Sequence, residues 1–418
     1  MPNVRRLLVD KGTTFSNHTI TLPTCCPSRV TFLRGQYPHN HKIGYGVRAG
    51  EVSFRRQGHA RSTVGTWLNK AGYRTGYIGK YLNDFSADRY SPPGWDRFYA
   101  NVDQDVWSRK FATGGKTKTL KRGNIDAHLA DIGVSFLKNS GNASSFLWLN
   151  FNAPHQLKNG PPPAPERDLR KFGSKMPRSP AFNESDVSDK PSWIRNLPKL
   201  TPRQITSMGK EREHRLASLQ VVDRGVAQLI DMLERTGELD NTYIFFTSDN
   251  GYHMGEHRMG KGKMTPYLTD VRVPLIVRGP GVARGVTSAA FVQNTDFAPT
   301  AAEIAGEKVP DFVDGRSMLP LLKGSGAAGR AVDWREQGYF EGRNKHPFAG
   351  ITTTGGLHYV SYDQGPTELY DLNRDPHQLE NLAGQRPDEE TALRARLRAI
   401  KDCKGESSCR SAESGPLP

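Results

Sequence analysis

The residues of this chain that could do chemistry stand just after its short apolar runs. The run 146–149 is followed by Asn152, Ala153, Pro154 and His155. The run 243–246 is followed by Ser248, Asp249, Asn250 and Gly251, and the segment 73–78 by Gly79 and Lys80. Asp249 and Asn250 offer hard oxygens of the kind calcium or magnesium takes. Lys80 can hold an anion, and His155 can give or accept a proton near neutral pH. Each has a plainer reading alone: Ser-Asp-Asn-Gly is turn chemistry, a His after Pro is a loop residue, and a single Lys is solvated surface. Their shared placement is what points to a site, because ligands of open α/β sheets gather beyond the carboxyl ends of the strands.

The elements that must position these residues follow from periodicity. Apolar residues at Ile125, Leu129, Ile132 and Phe136 predict a helix over 125–137. Leu216, Leu219, Val222, Val226, Leu229 and Leu233 predict a long amphipathic helix stopped by Gly237. Short helices are expected at 3–12, with a polar loop after it, and from Cys25. The runs 73–78, 146–151, 242–247 and 272–278 read as buried strands. Helices alternating with apolar strands predict an α/β fold with a large, mostly parallel sheet between helices. Residues 156–205 are rich in Pro, Lys, Arg and Ser and read as a surface excursion. The stretch 324–329 reads as a linker. It divides a catalytic unit, 1–323, from a small C-terminal α+β unit, 330–418, that closes with a helix at 389–400.

With 418 residues, 36% hydrophobic, the chain can bury a sizeable core. No apolar run approaches the ~20 residues of a membrane span, so no membrane span is expected. The first residues carry no signal-peptide core. The net charge is +15, and residues 1–124 hold 21 basic against 7 acidic residues, a net of +14. That half expects an anionic partner. No basic helix with interleaved aromatics selects nucleic acid, so no nucleic-acid partner is expected. The four cysteines, Cys25, Cys26, Cys403 and Cys409, have no further Cys/His pair at zinc spacing.

The run Cys25-Cys26-Pro27-Ser28-Arg29 resembles the Cys-x-Pro-Ser-Arg signature of the sulfatase family. The likeness continues through Tyr37-Pro38-His39-Asn40-His41, GKYLN (79–83), APH (153–155), SDNGYHMGEHR (248–258), GKMTPY (262–267), DVRVPLIVRGPGV (270–282) and ELYDLNRDP (368–376). It covers nearly the whole chain and is similar to the branch of fungal arylsulfatases, extracellular heparan sulfatases and glucosamine-6-sulfatases. The resemblance implies an alkaline-phosphatase-like α/β fold and hydrolysis of sulfate monoesters, aryl sulfates or glucosamine 6-sulfates. Cys25 would be converted to formylglycine (3-oxoalanine) by a separate formylglycine-generating enzyme. One hydroxyl of the hydrated aldehyde would attack sulfur and the other would then expel sulfate. Arg29 would hold the formylglycine oxygens, Lys80 and Lys263 the sulfate, and His155 the leaving oxygen. Calcium would sit on Asp249, Asn250 and residue 25. Lys261 competes with Lys263, and the GKxTPY frame favours Lys263.

Cys26 fills the variable position of the signature and reads as structural; for His39 and His41, pocket lining and loop packing both stand open. The resemblance implies a disulfide between Cys403 and Cys409, and a secreted or endomembrane setting for an intact member. Sequons at Asn17, Asn142 and Asn183 add weak support for that setting and for a glycoprotein. Two departures stand out. The family's opening apolar strand with its Asp-Asp pair, the other half of the calcium site, has no counterpart before Cys25, where Asp10 stands alone; a gap in the sheet is expected in its place. And Leu82, beside Asn83, stands where many sulfatases place a His. These departures keep two alternatives in view: a catalytically dead anion- or glycan-binding protein, and a phosphate or phosphonate monoester hydrolase on the same scaffold.

Overall fold

The computed structural model describes residues 1–44, 50–86, 90–102, 107–173, 178–323, 334–343, 345–415 and 417. The chain opens with a short helix, Pro2–Val4, that runs into a π-helical turn, Arg5–Val9. Its Asn3 and Val4 amides donate to Asp223 on the long helix Pro202–Arg235. That anchors Val4 and Leu8 against Val222, Val226 and Ile230.

The expected polar loop after it is instead strand β1, Thr13–Thr19. Its buried residues include Thr13, His18 and Thr19 beside Phe15, so burial there is not written in hydropathy. Next come β2 (Arg74–Gly79), β3 (Arg97–Asn101), β4 (Lys110–Thr113), β5 (Lys116–Thr119) and β6 (Ser145–Asn150). They form one sheet in the order β5-β4-β3-β2-β6, and β2 runs parallel to both β3 and β6. The helix Ile125–Lys138 covers this sheet. Gly76 in β2 faces it so closely that a Cβ there would lie 2.9 Å from the Phe136 ring.

Strand β7 (Ile244–Thr247) is followed by a two-stranded ribbon, β8 (His253–Met254) and β9 (Lys261–Gly262), and by β10 (Leu275–Arg278) and β11 (Val286–Gln293). A second sheet has the order β11-β1-β10-β7, with β1 parallel to β11 and the β1–β10 and β10–β7 pairs antiparallel. The α/β class therefore holds, but the sheet is neither single nor mostly parallel. It is two mixed sheets with edges at β6 and β7. Both edge strands are apolar, FLWLN and IFFT, yet every residue in them is only partly buried. That is the signature of strands made for a sheet interior and standing at its margin.

Among the described residues, 156–200 carry only the short helices Glu166–Leu169 and Ser192–Arg195, as an excursion should, but the long helix starts at Pro202, inside the expected excursion 156–205. The expected linker at 324–329 lies outside the described residues. Beyond it, β12 (Gln337–Gly342), β13 (Phe348–Thr353), β14 (Leu357–Tyr362) and β15 (Glu368–Asp371) form an antiparallel meander covered by the helix Pro387–Asp402. Leu393, Leu397 and Ile400 of that helix pack on Ile351, Tyr359 and Leu369. Cys403 and Cys409 form a disulfide just after it. No helix among the described residues is long and apolar enough to cross a membrane.

Candidate active site

Cys25 is the first residue of a helix, Cys25–Arg34, all ten residues of which are buried. The helix stops at Gly35, whose φ of 66° suits glycine. Its amino end gathers the loops that leave β2, β6, β7 and β9. Lys80 follows Gly79, a position closed to any side chain: φ is 103° and a Cβ would lie 1.8 Å from the Asn150 carbonyl oxygen. The Lys80 carbonyl is then pinned by the Tyr77 hydroxyl and by Asn150 Nδ2, both at 2.8 Å.

The turn carrying His155 is held from two sides. Asp126, at the start of its helix, accepts from the Asn152 and Ala153 amides, and Trp107 Nε1 donates to the His155 carbonyl at 2.8 Å. His155 Nδ1 donates to the Gln156 carbonyl at 2.7 Å, which orients the ring. Lys263 Nζ lies 2.5 Å from Cys25 Sγ and 3.2 Å from Asn250 Oδ1. The loop behind it is fastened by Asp270, which accepts from the Thr265 amide and hydroxyl and from His253 Nδ1. Arg29, one turn along from Cys25 and 2% exposed, pairs with Asp249 and donates to Asn83 Oδ1 at 3.2 Å.

These charges act on one another. Burial pushes the Cys25 thiol up, and Asp249 adds to this. Lys80 and Lys263, with a hydrogen bond from His155, outweigh both and bring it well below the usual thiol value. Burial and the neighbouring cations Arg29 and Lys263 lower Lys80, against the pull of Cys25 and Asp249. Burial raises Asp249, but Arg29, Lys263 and Lys80 carry it below the ordinary carboxylate range. The pocket is thus a cradle of cations around the buried residue 25, suited to hold negative charge. The helix amino terminus favours negative charge at the same point.

Residues 1–307 match the family model described as Sulfatase, and residues 255–402 that described as N-sulphoglucosamine sulphohydrolase, C-terminal. The chain belongs to the sulfatase family. It is 33% identical, over 77% of its length, to a putative extracellular sulfatase Sulf-1 homolog of Caenorhabditis elegans, of which it spans 46%. It spans 29% of a second such homolog, from Drosophila melanogaster, at 34% identity over 77% of this chain. Over 98% of this chain and 81% of the relative it is 29% identical to N-acetylglucosamine-6-sulfatase of Capra hircus. Among solved structures it resembles BT4656 in complex with D-glucosamine-2-N,6-O-disulfate (TM-score 0.75, 23% identity, 95% of this chain and 91% of that one). It also resembles the phosphonate monoester hydrolase of Agrobacterium radiobacter (TM-score 0.72, 21% identity, 96% and 91%). These likenesses carry the alkaline-phosphatase-like fold.

In this chain, Cys25, Arg29, Lys80, His155, Asp249, Asn250 and Lys263 meet in one pocket. Lys261 instead pairs with the buried Glu211. Cys26 is buried, and burial pushes its thiol up to about 11. His39 is held by Glu341 and stacks on Tyr37, while His41 lies between Thr31 and the Ile43 amide. Both histidines are packing residues. Among the sequons, Asn142 is exposed, whereas the side chains of Asn17 and Asn183 are engaged with the Ala289 carbonyl and the Leu200 amide.

The oxygens of Asp249 and Asn250 suit a hard cation, but calcium takes six to eight oxygens. Here these two face Arg29 and Lys263. Among the described residues no three His, Cys, Asp or Glu side chains form a metal-binding group. The described donors therefore do not complete a calcium shell. Sequence reasoning missed the residues that hold the pocket in place: Tyr77, Trp107, Asp126, Asn150 and Asp270. Only Asp126 gave a signal, an acid at a helix start.

Proposed function

We propose that this chain hydrolyses sulfate monoesters of the aryl or glucosamine 6-sulfate type, with residue 25 working as formylglycine made by a separate generating enzyme. The observation that carries the reading is the buried residue 25 at a helix amino end, ringed by Lys80, Lys263 and His155. Converted to formylglycine, residue 25 would supply the hydroxyl chemistry that displaces the alcohol from sulfur and later frees sulfate with return of the aldehyde. Lys80 and Lys263 bind the sulfate oxygens and spread the charge that builds up on them. His155, oriented through Nδ1, gives a proton to the departing alcohol oxygen. Arg29, fixed by Asp249 and Asn83, holds the oxygens of residue 25. Relatives named arylsulfatase and N-acetylglucosamine-6-sulfatase support the two substrate classes. Relatives named extracellular sulfatases, together with the disulfide, support a secreted or endomembrane setting.

The test is co-expression with a formylglycine-generating enzyme, followed by sulfate release from an aryl sulfate and from glucosamine 6-sulfate. Turnover is expected in the parent chain and a loss of at least ~10³-fold in Cys25→Ala. Faster turnover of phenyl phosphate than of phenyl sulfate would move the assignment to a phosphomonoester hydrolase. The incomplete oxygen set at Asp249 and Asn250 favours one second reading, a glycan-binding protein without turnover. Converted residue 25 with no sulfate released from any ester would establish it.

A further inference from the structure

The hairpin β4–β5 is the outer margin of the first sheet. Gly114 and Gly115, with φ of 55° and 70°, make the two-residue turn that suits such a hairpin. All four residues of β5 are exposed. From Arg109 to Ile125 the sequence holds Arg109, Lys110, Lys116, Lys118, Lys121 and Arg122 and no acidic residue. Among the described residues, none of these six forms an ion pair. Arg109 is committed to the Leu120 and Gly123 carbonyls, which ties the end of the hairpin back to its start. The other five cations are exposed.

A lysine or two on an edge strand would serve to discourage pairing with another sheet. That does not account for Lys121 and Arg122, which lie past the strand, or for a segment with no compensating carboxylate. Both ends of the ribbon are built into the wall of the pocket. Trp107, just before it, holds the His155 carbonyl. Asp126, just after it, is consumed by the Asn152 and Ala153 amides. From that wall the hairpin extends for roughly 14 Å, at about 3.4 Å per residue.

We propose that this ribbon is a docking strip for a sulfated polysaccharide chain, engaging sulfates other than the one held at residue 25. The identity of the occupant rests on the sulfate-ester reading above. A polyanion crossing five exposed cations displaces its counterions, so its binding weakens steeply with salt, whereas a small aryl sulfate in the pocket is indifferent to the strip.

The test compares the full chain with two variants, Lys116→Glu/Lys118→Glu and Lys121→Glu/Arg122→Glu, and with the matching Gln pairs as milder changes at the same exposed positions. Retention on immobilised heparin, which needs no turnover, is read beside kinetics on a heparin-type polymer and on an aryl sulfate. The expected result is earlier salt elution and a KM for polymer raised by at least ~10-fold, with kcat/KM for the aryl sulfate within about twofold. Unchanged retention and unchanged polymer KM in both Glu variants overturns the strip while leaving the sulfate-ester reading intact. Retention of single-stranded DNA as tight as that of heparin, through the same residues, overturns the choice of partner. Heparin retention that depends on the ribbon, with no ester turned over, upholds the strip and removes the catalytic reading.

Discussion

At the residue scale, two lysines two positions apart have opposite surroundings. Lys263 points at residue 25 and Asn250, while Lys261 is spent on the buried Glu211. Alternation along β9 and the loop after it cannot say which of them enters the pocket; the partners can. Lys263→Ala should lower kcat on a sulfate ester by at least ~10²-fold, as removal of one oxyanion partner does. Lys261→Ala should change kcat by no more than a few-fold and instead cost stability, about 1–3 kcal/mol, by leaving Glu211 buried without its cation. Steady-state kinetics beside urea melts separate the two outcomes. The residues that gather around Cys25 were readable from sequence because each follows an apolar run or sits in a dense motif. Their supports were not. Trp107 acts through one hydrogen bond to a loop remote in sequence and nothing in its own neighbourhood marks it, while Asp126, an acid at a helix start, gives no sign of the two remote amides it holds.

At the scale of elements, the hydrophobic periods gave the helix Ile125–Lys138 and β2, β6, β7 and β10 within a few residues, whereas the helix Pro202–Arg235 was legible only from Leu216 onward because its first turns are largely polar and exposed. Strand order was not legible, because pairing partners leave no trace in a strand's own pattern, and β1 was hidden by its polar yet buried residues. The consequence of that order is that two apolar strands, β6 and β7, stand at sheet edges. β2 pairs with β6 along its whole length and with β3 over 76–79, whereas among the described residues β6 and β7 each pair on one side only. Amide exchange followed by mass spectrometry should therefore show 145–150 and 244–247 exchanging well ahead of 74–79 and 275–278. Equal protection would mean that the two edges meet. The C-terminal meander braces the Lys263 loop through Glu368, which accepts from the hydroxyls of Tyr267, Tyr362 and Tyr370, and through His358, whose Nε2 donates to the Pro266 carbonyl. Glu368→Gln leaves one carbonyl oxygen where two oxygens served three hydroxyls. A loss of about 1–3 kcal/mol in unfolding free energy is expected, and an unchanged melting curve would refute the brace.

For the whole molecule, acid sets buried groups of opposite sign against each other. Burial drives Asp126 up to about 6 and also raises Glu368 and Asp314. A carboxyl raised in the fold adds stability below its unfolded pKa and loses it as pH climbs through the folded value, so acidification relieves these three. Burial drives His18 down to about 4 and His358 to about 3. A histidine lowered in the fold contributes stability above its unfolded pKa of 6.5, and that stability is lost as pH falls, at about 1.4 kcal/mol per unit for each ring. Between pH 7 and 5 the two sets offset one another. Below the unfolded aspartate value of about 3.9 the gain from Asp126 is complete while His358 still resists a proton, so unfolding free energy should fall there until His358 takes its proton near pH 3. His358 carries the clearest test, because its Nδ1 already accepts the Thr352 hydroxyl and a proton on that nitrogen breaks the bond. His358→Gln keeps a donor for Pro266 but does not titrate. It should be less stable than the parent at pH 7, by about 1–3 kcal/mol for the lost ring packing and hydrogen bond. The gap should then narrow by up to ~1.4 kcal/mol per unit as pH drops from 6.5. Urea melts at half-unit steps would show the two curves converging, whereas a constant separation would mean that His358 carries the same proton count folded and unfolded.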